Sequence, residues 1–215
     1  MHSRKIERTK SSLKLSDEQR EVLVGLLLGD AHLETQNDGK TYRAKFEYSI
    51  KHRLYANHLY EIFREWVLTP PQIKQDKTHN NIWFQTVSHG AFRFYAHQFY
   101  DGKNKCVPKL IHHYLTNKSV AYWFMDDGSI KSHESKGVIF NTQYFVKRDV
   151  QRLIKCLQNY FDLEASVRKQ KDGLQIYISG KSYERFLEIV FPYVHTSMHY
   201  KIPVCRRSRQ VDRKT

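Results

Sequence analysis

Two apolar runs in this chain each close on an acid. The first is Leu23-Val24-Gly25-Leu26-Leu27-Leu28-Gly29-Asp30-Ala31, and the second is Val120-Ala121-Tyr122-Trp123-Phe124-Met125-Asp126-Asp127-Gly128. Each predicts an apolar helix that ends at its aspartate. Around them the hydrophobic period alternates between helix and strand. Ser16-Asp17-Glu18-Gln19 predicts a helix start, with Ser16 as cap and Gln19 closing a capping box. Strands follow at 31–36 and 41–50, turned by Asn37-Asp38-Gly39, because Asp-Gly tolerates positive φ. Leu54, Leu59, Ile62, Phe63 and Trp66 mark a helix at 53–66, stopped before Pro70-Pro71. Strands at 72–77 and 82–87, turned by His79-Asn80-Asn81, lead to a helix at 89–100. After a Lys- and His-rich connector at 101–115 the order restarts. A helix at 116–127 is followed by strands at 129–133 and 137–142 and a helix at 147–161. Strands at 164–170 and 174–179 then flank Lys171-Asp172-Gly173, and a helix at 181–191 closes the series.

Each half reads helix, hairpin, helix, hairpin, helix, which predicts an α+β fold built by duplication. Asp30 and Asp127 lie 97 residues apart, and Lys105 and Lys201, each just ahead of an apolar-Pro pair, lie 96 apart. Two matched pairs of different residue types support the repeat. The domains expected are a basic arm at 1–15, a first repeat at 16–100, the connector at 101–115, a second repeat at 116–204 and a basic tail at 205–215.

Charge narrows the function. With 36 Lys+Arg against 22 Asp+Glu the formal charge is +14, and the commonest reason for such an excess is a polyanionic partner. The 14 Tyr and 12 Phe interleave with the basic residues, which suits contacts to phosphates and bases together. Cys106, Cys156 and Cys205 form no C-x-x-C pair, so a disulfide framework is not expected. No apolar run approaches the ~20 residues a membrane helix needs. The basic, Ser-containing N-terminus lacks the apolar segment of a secretory signal.

The candidate chemistry centres on Asp30 and Asp127. If their helices pack in parallel, the two carboxylates lie side by side at two negative helix ends, which favours a cation. With the carbonyls of Gly29 and Asp126 they make an oxygen-rich site suited to Mg²⁺ or Mn²⁺. Gly25 and Gly29, four apart, let two backbones approach closely, and the second motif offers Ala121 and Met125 at that spacing. Lys105 and Lys201 are placed to stabilise charge on a phosphodiester under attack. Gln143, just past the second motif's hairpin, is a candidate to position a water or a phosphate. Taken singly, each aspartate reads more readily as the end of a core helix and each lysine as a solvated surface residue; the repeat reverses that balance. Polar residues at period two define sheet faces suited to base edges in the major groove. They are Arg43, Lys45 and Glu47, then Asn81, Trp83 and Gln85, then Lys131, Arg168, Gln170, Gln175 and Tyr177, with Lys169 on the next face. His112-His113 with Asn117 or Cys106 matches no strong zinc spacing, and a helix start is its default reading.

The two stretches resemble the paired motifs of LAGLIDADG homing endonucleases in their single-chain, double-motif form. Val120–Gly128 is a specific match to the intron-encoded branch. The first stretch keeps Leu23, Gly25, Leu26 and Asp30, and departs at Leu28, where the pattern often has an acid, and at Ala31, where it has Gly. Lys105-Cys106-Val107-Pro108 and Tyr200-Lys201-Ile202-Pro203 resemble the family's lysine positions, and the resemblance spans roughly 16 to 204. It implies a monomer of two pseudo-symmetric αββαββα halves whose saddle-shaped sheets straddle a long, near-asymmetric DNA site. It further implies divalent metals held by the motif aspartates between the scissile phosphates, cleavage of both strands across the minor groove, and short 3′ overhangs. Host genes are typically mobile organellar introns, so an organellar compartment is expected. The same fold also serves RNA-binding intron maturases. Retention of both acids and both lysines favours the nuclease over the maturase, and over a DNA-binding protein that has lost cleavage.

Overall fold

The protein was analysed as a computed structural model, which describes residues 12–75, 80–132 and 134–203. Most of the basic arm and all of the basic tail predicted above lie outside these residues, as does the turn before Asn80. Leu15 does not belong to a loose arm: it is buried in the core, and Leu13 packs against it.

Helix α1 (Asp17–Leu28) opens with the expected capping box. The Ser16 hydroxyl accepts from Gln19 N at 3.1 Å, and Gln19 Oε1 accepts from Ser16 N at 3.0 Å. The same glutamine reaches across the first repeat. Its Nε2 donates to Ile62 O at 2.8 Å, and Trp66 Nε1 donates to its Oε1 at 3.1 Å. That anchor explains why the second helix is shorter than its periodicity suggests. Helix α2 (Arg53–Ile62) stops at Ile62, and a 3₁₀ turn at Arg64–Trp66 swings the indole into the core.

Strands β1 (His32–Glu34), β2 (Arg43–Ser49), β3 (Gln72–Gln75) and β4 (Asn80–Gln85) form an antiparallel sheet in the order β1-β2-β4-β3. Both Asp38 and Gly39 adopt positive φ, as the turn chemistry requires. Asn80 and Asn81 are strand residues rather than a turn. Lys74 pairs with Asn81 and Gln75 with Asn80, which draws the ladder two residues further back than predicted. Helix α3 (Arg93–Phe99) follows a 3₁₀ turn at Gly90–Phe92. The connector is not plain loop: β5 (Tyr100–Asp101) and β6 (Asn104–Lys105) form a tight hairpin through Gly102, and Ile111–His113 is a 3₁₀ turn.

The second repeat begins with α4 (Asn117–Asp127), capped by Thr116. Strands β7 (Gly128–Ile130), β8 (Val138–Phe140), β9 (Ala165–Gln170) and β10 (Gly173–Ile178) pair in the order β7-β8-β10-β9, the order of the first sheet. Helices α5 (Lys147–Phe161) and α6 (Tyr183–Val190) complete the unit. In both sheets one face is apolar and packed under helices, through Phe46, Ile82 and Phe84 in the first and Phe140, Ile176 and Ile178 in the second. The opposite face carries the polar residues.

The two repeats meet through α1 and α4, which run parallel. Ser119 Oγ donates to Glu21 O at 2.9 Å near their starts, and Asp30 N donates to Asp126 Oδ2 at 3.0 Å near their ends. The residues opposite the glycines are not Ala121 and Met125. Gly25 lies against Ser119 and Tyr122, and Gly29 against Asp126. The 97-residue offset makes Tyr122 and Asp126 the counterparts of the two glycines, so one helix supplies the gaps and the other fills them.

A buried acid fixes the connector to the second repeat. Asp149, 2% exposed, accepts from Val107 N at 3.1 Å and from Arg152 Nη1 at 2.9 Å. Breaking a buried, fully bonded pair is costly. Asp149→Ala is expected to lower unfolding stability by about 3 kcal/mol in urea titration, a loss that Asp149→Asn should in part restore.

Candidate functional site

The parallel packing of α1 and α4 brings Asp30 and Asp127 to the two adjoining helix ends, two residues ahead of β1 and one ahead of β7. Asp127 senses the charge of Asp30, and both acids sense the ammonium groups of Lys105 and Lys201. Loss of water in the cleft raises Asp30 above the usual carboxylate range, while the two lysines oppose it. The same loss of water pushes Asp127 up to about 7, against a hydrogen bond from Tyr144 and the pull of the lysines. Burial lowers both lysines from their ordinary value, and the three nearby aspartates oppose that shift.

The lysines follow the repeat. Lys105 Nζ donates to Gly29 O at 2.5 Å. Lys201 Nζ donates to Met125 O at 2.5 Å and to Asp126 O at 2.8 Å. Each ammonium therefore sits on the negative end of its own repeat's motif helix. The carbonyls of Gly29 and Asp126, proposed from sequence as metal donors, are here lysine acceptors. Each carbonyl oxygen keeps a second lone pair, so a lysine on one side leaves room for a metal on the other.

The two adjacent acids of the second motif have different surroundings. The Tyr144 hydroxyl lies 2.7 Å from Asp127 Oδ2 and also against Leu28 O, so its single proton is shared between the two helix ends. The Asp126 carboxyl turns inward. It accepts from Asp30 N at 3.0 Å, from Tyr55 Oη at 3.1 Å and from Tyr48 Oη at 3.4 Å. Burial, with the negative charge of Asp30 beside it, drives Asp126 well above the carboxylate range. Its side chain is thus a structural acceptor.

The remaining donor set fits a hard divalent cation. Among the described residues no three His, Cys, Asp or Glu side chains converge as ligands. Mg²⁺ is commonly held by only one or two carboxylates, with water and substrate phosphates completing its shell. Asp30 and Asp127, at the negative ends of two helices, meet that requirement. His112 instead stacks on Tyr160 at 5.0 Å and against His113 at 4.2 Å, so the zinc alternative has no support in the described residues.

Sequence reasoning singled out Gln143 and missed its neighbour Tyr144. The backbone of Gln143 lies under Gly173, where a Cβ would come within 2.7 Å of its carbonyl oxygen, and the next side chain reaches Asp127. Asn141 was also missed: its Nδ2 donates to Asp127 O at 2.8 Å, and its Oδ1 accepts from Gln175 Nε2 at 2.7 Å.

The strand registers place the reading-face candidates. In the first sheet Lys45 pairs with Gln85 and Glu47 with Trp83, so Arg43, Lys45, Glu47, Asn81, Trp83 and Gln85 share one face. The register adds His32, Glu34, Gln72 and Lys74, which sequence reasoning missed because pairing rather than local alternation puts them there. The face is crosslinked by charge: Arg43 Nη2 donates to Glu34 at 2.9 Å, and Asn81 Nδ2 donates to Glu47 at 3.0 Å. In the second sheet Arg168 pairs with Gln175 and Gln170 with Gly173, while Lys131 lies 5.1 Å over the Tyr177 ring. Arg168 and Gln170 are exposed. Gln175 is nearly buried and its amide is engaged with Asn141, so as a free base-reading group it is a correction to the expected set.

Residues 20–186 match the LAGLIDADG DNA endonuclease family. The chain is 36% identical over 198 residues to a probable intron-encoded endonuclease 1 of Wickerhamomyces canadensis, covering 87% of this chain and 85% of that protein. It is 28% identical over 198 residues to the cytochrome b mRNA maturase bI2 of Saccharomyces cerevisiae, covering 84% of this chain and 46% of the maturase. Among solved structures, the homing endonuclease I-WcaI bound to its DNA recognition sequence superposes with a TM-score of 0.86 at 33% identity, covering 91% of both chains. With paired motif helices, twin sheets of one strand order and this breadth of sequence match, the chain belongs to the LAGLIDADG DNA endonuclease family.

Proposed function

We propose that the chain is a site-specific homing endonuclease that makes a metal-dependent double-strand break in a long, near-asymmetric DNA target and so promotes intron mobility. The observation that carries this reading is the pairing of Asp30 and Asp127 at adjoining helix ends, each followed directly by a sheet with a polar face. The relatives named as intron-encoded and DNA-bound endonucleases support it.

Asp30 and Asp127 would hold Mg²⁺ or Mn²⁺, which supplies charge neutralisation at phosphate oxygens and a more acidic water. The chain's own residues bind and orient the rest. Arg43, Lys45, Lys74 and Arg168 offer cations to the backbone, so affinity should fall steeply with salt. Trp83, Gln85, Gln170 and Tyr177 present groups toward base edges. Lys105 and Lys201 deliver two ammoniums into the cleft where negative charge develops. Lys105→Met and Lys201→Met keep the half-buried stem but remove the charge. Each is expected to slow cleavage about 100-fold, read in single-turnover assays, with target affinity in Ca²⁺ nearly unchanged.

The repeat lies within one chain, so a monomer should suffice, and intron-encoded relatives point to an organellar setting. Among the described residues no helix is long and apolar enough to cross a membrane. The maturase relative favours a second reading, RNA binding in intron splicing. The outer face of α5, on the opposite side of its sheet from Tyr177, exposes Lys147, Arg148, Lys155 and Tyr160 and is a surface of suitable chemistry. The deciding experiment incubates the full chain with a plasmid carrying the intron-free insertion site. Linearisation in Mg²⁺ but not in Ca²⁺ supports the endonuclease. Binding of intron RNA with no cleavage under any divalent cation transfers the assignment to the maturase.

A further inference from the structure

The two halves of the cleft are not equivalent. Motif position 29 is glycine in the first helix, and its counterpart at 126 is an acid in the second. The two fit each other: a Cβ at Gly29 would lie 2.5 Å from Asp126 Cβ and 2.6 Å from its Oδ2. The space left by the missing side chain is where the Asp126 carboxyl enters.

All three hydrogen bonds to that carboxyl come from the first repeat. Tyr48 at the end of β2 and Tyr55 in α2 are both buried and aim their hydroxyls at Oδ1. Oδ2 accepts from the backbone N–H of Asp30 itself. That N–H lies just beyond α1. Its neighbours Gly29 N and Ala31 N both return to carbonyls within the helix, so Asp126 secures the one group between them. The first repeat offers Asp127 nothing reciprocal, because Gly29 has no side chain. Asp127 is held instead by its carboxylate, through Tyr144, and by its carbonyl, through Asn141.

We infer that Asp126 is a positioning residue for cleavage, fixing the backbone of Asp30 so that its carboxylate points into the cleft, and that it acts on only one of the two half-sites. The inference rests on the endonuclease reading above. The pseudo-two-fold axis that relates Asp30 to Asp127 matches the two-fold relation between the strands of a duplex. A fault confined to Asp30 should therefore reach one strand more than the other.

The test uses the full chain and a supercoiled plasmid bearing its target, with each strand's cleavage followed by end label. Asp126→Ala removes the acceptor. Asp126→Leu does so at nearly constant volume, and replaces the alanine variant if its cavity prevents folding. Asp126→Asn keeps an acceptor for Asp30 N. Expected is a 10- to 100-fold slowing of one strand only in the alanine or leucine variant. Nicked circles should accumulate, target affinity in Ca²⁺ should hold, and the asparagine variant should be restored to near wild-type rates. Equal slowing of both strands, or loss of target affinity in step with rate, would mean a merely structural role and overturn the inference. Unchanged rates in both acceptor-free variants would overturn it too. A wild-type protein that cuts neither strand would instead remove the endonuclease reading on which it rests.

Discussion

Asp30→Asn and Asp127→Asn are each expected to abolish double-strand cleavage while leaving target binding intact. Asparagine keeps the shape of the side chain and its hydrogen-bond acceptor, so Tyr144 retains a partner at position 127 and the α1–α4 packing is untouched. What is lost is a formal negative charge at a helix end that, on the proposed function, would hold a divalent cation. A thousandfold loss of rate corresponds to about 4 kcal/mol of transition-state stabilisation, the upper part of the range for one preorganised electrostatic group. Binding moves the other way: removing an anion from a face that meets phosphates should leave affinity equal or slightly tighter. The measurement is paired, with single-turnover linearisation in Mg²⁺ and equilibrium binding in Ca²⁺. Linear product within tenfold of wild type from either variant would remove that aspartate from the centre.

What the sequence made legible was local. The Ser16 capping box, the Asp38-Gly39 turn and the hairpin around Asp172-Gly173 are encoded within a few residues, and the structure forms them as read. The repeat was legible because two spacings agreed, and the two sheets repeat one strand order. Partners far along the chain were not legible. Asp126 and Asp127 are neighbours at a helix end, and a single helical step of about 100° sends one into the core and the other into the cleft. Nothing near them names Tyr48 and Tyr55 as the buried donors for the first. Tyr144 was missed for a related reason. Gly173 packs under the backbone at 143 and fixes that residue against the second hairpin, so the next side chain turns toward Asp127. A signal did exist for Asp126: the same 97-residue offset that pairs Asp30 with Asp127 sets it opposite a glycine.

Gly25→Ala is expected to destabilise the fold strongly, because it strikes the contact that joins the repeats. A Cβ there would lie 2.3 Å from the Ser119 carbonyl oxygen, 3.1 Å from its carbonyl carbon and 2.9 Å from Tyr122 Cβ. None of these atoms is the end of a flexible side chain, so relief requires α1 and α4 to move apart. That movement strains the bond from Ser119 Oγ to Glu21 O at one end and the bond from Asp30 N to Asp126 at the other. Overpacking of this kind costs about 3 kcal/mol, and the gain in helix propensity from Gly to Ala, about 1 kcal/mol, offsets only part of it. A net loss near 2 kcal/mol lowers the melting temperature by about 4 to 8 °C in a chain of this size, and Gly25→Val should not fold at all. Gly29→Ala makes the useful contrast. Its nearest atoms belong to the Asp126 side chain: the carboxyl oxygen at 2.6 Å can rotate away but Cβ at 2.5 Å cannot, so that variant should lose activity in addition to stability. Melting by circular dichroism beside cleavage rate separates the two. If Gly25→Ala melts within 1 °C of wild type, the close helix contact does not set the spacing of the aspartates. If it melts as expected while Gly29→Ala stays folded and inactive, packing at position 25 holds the halves together and packing at position 29 aims the acid.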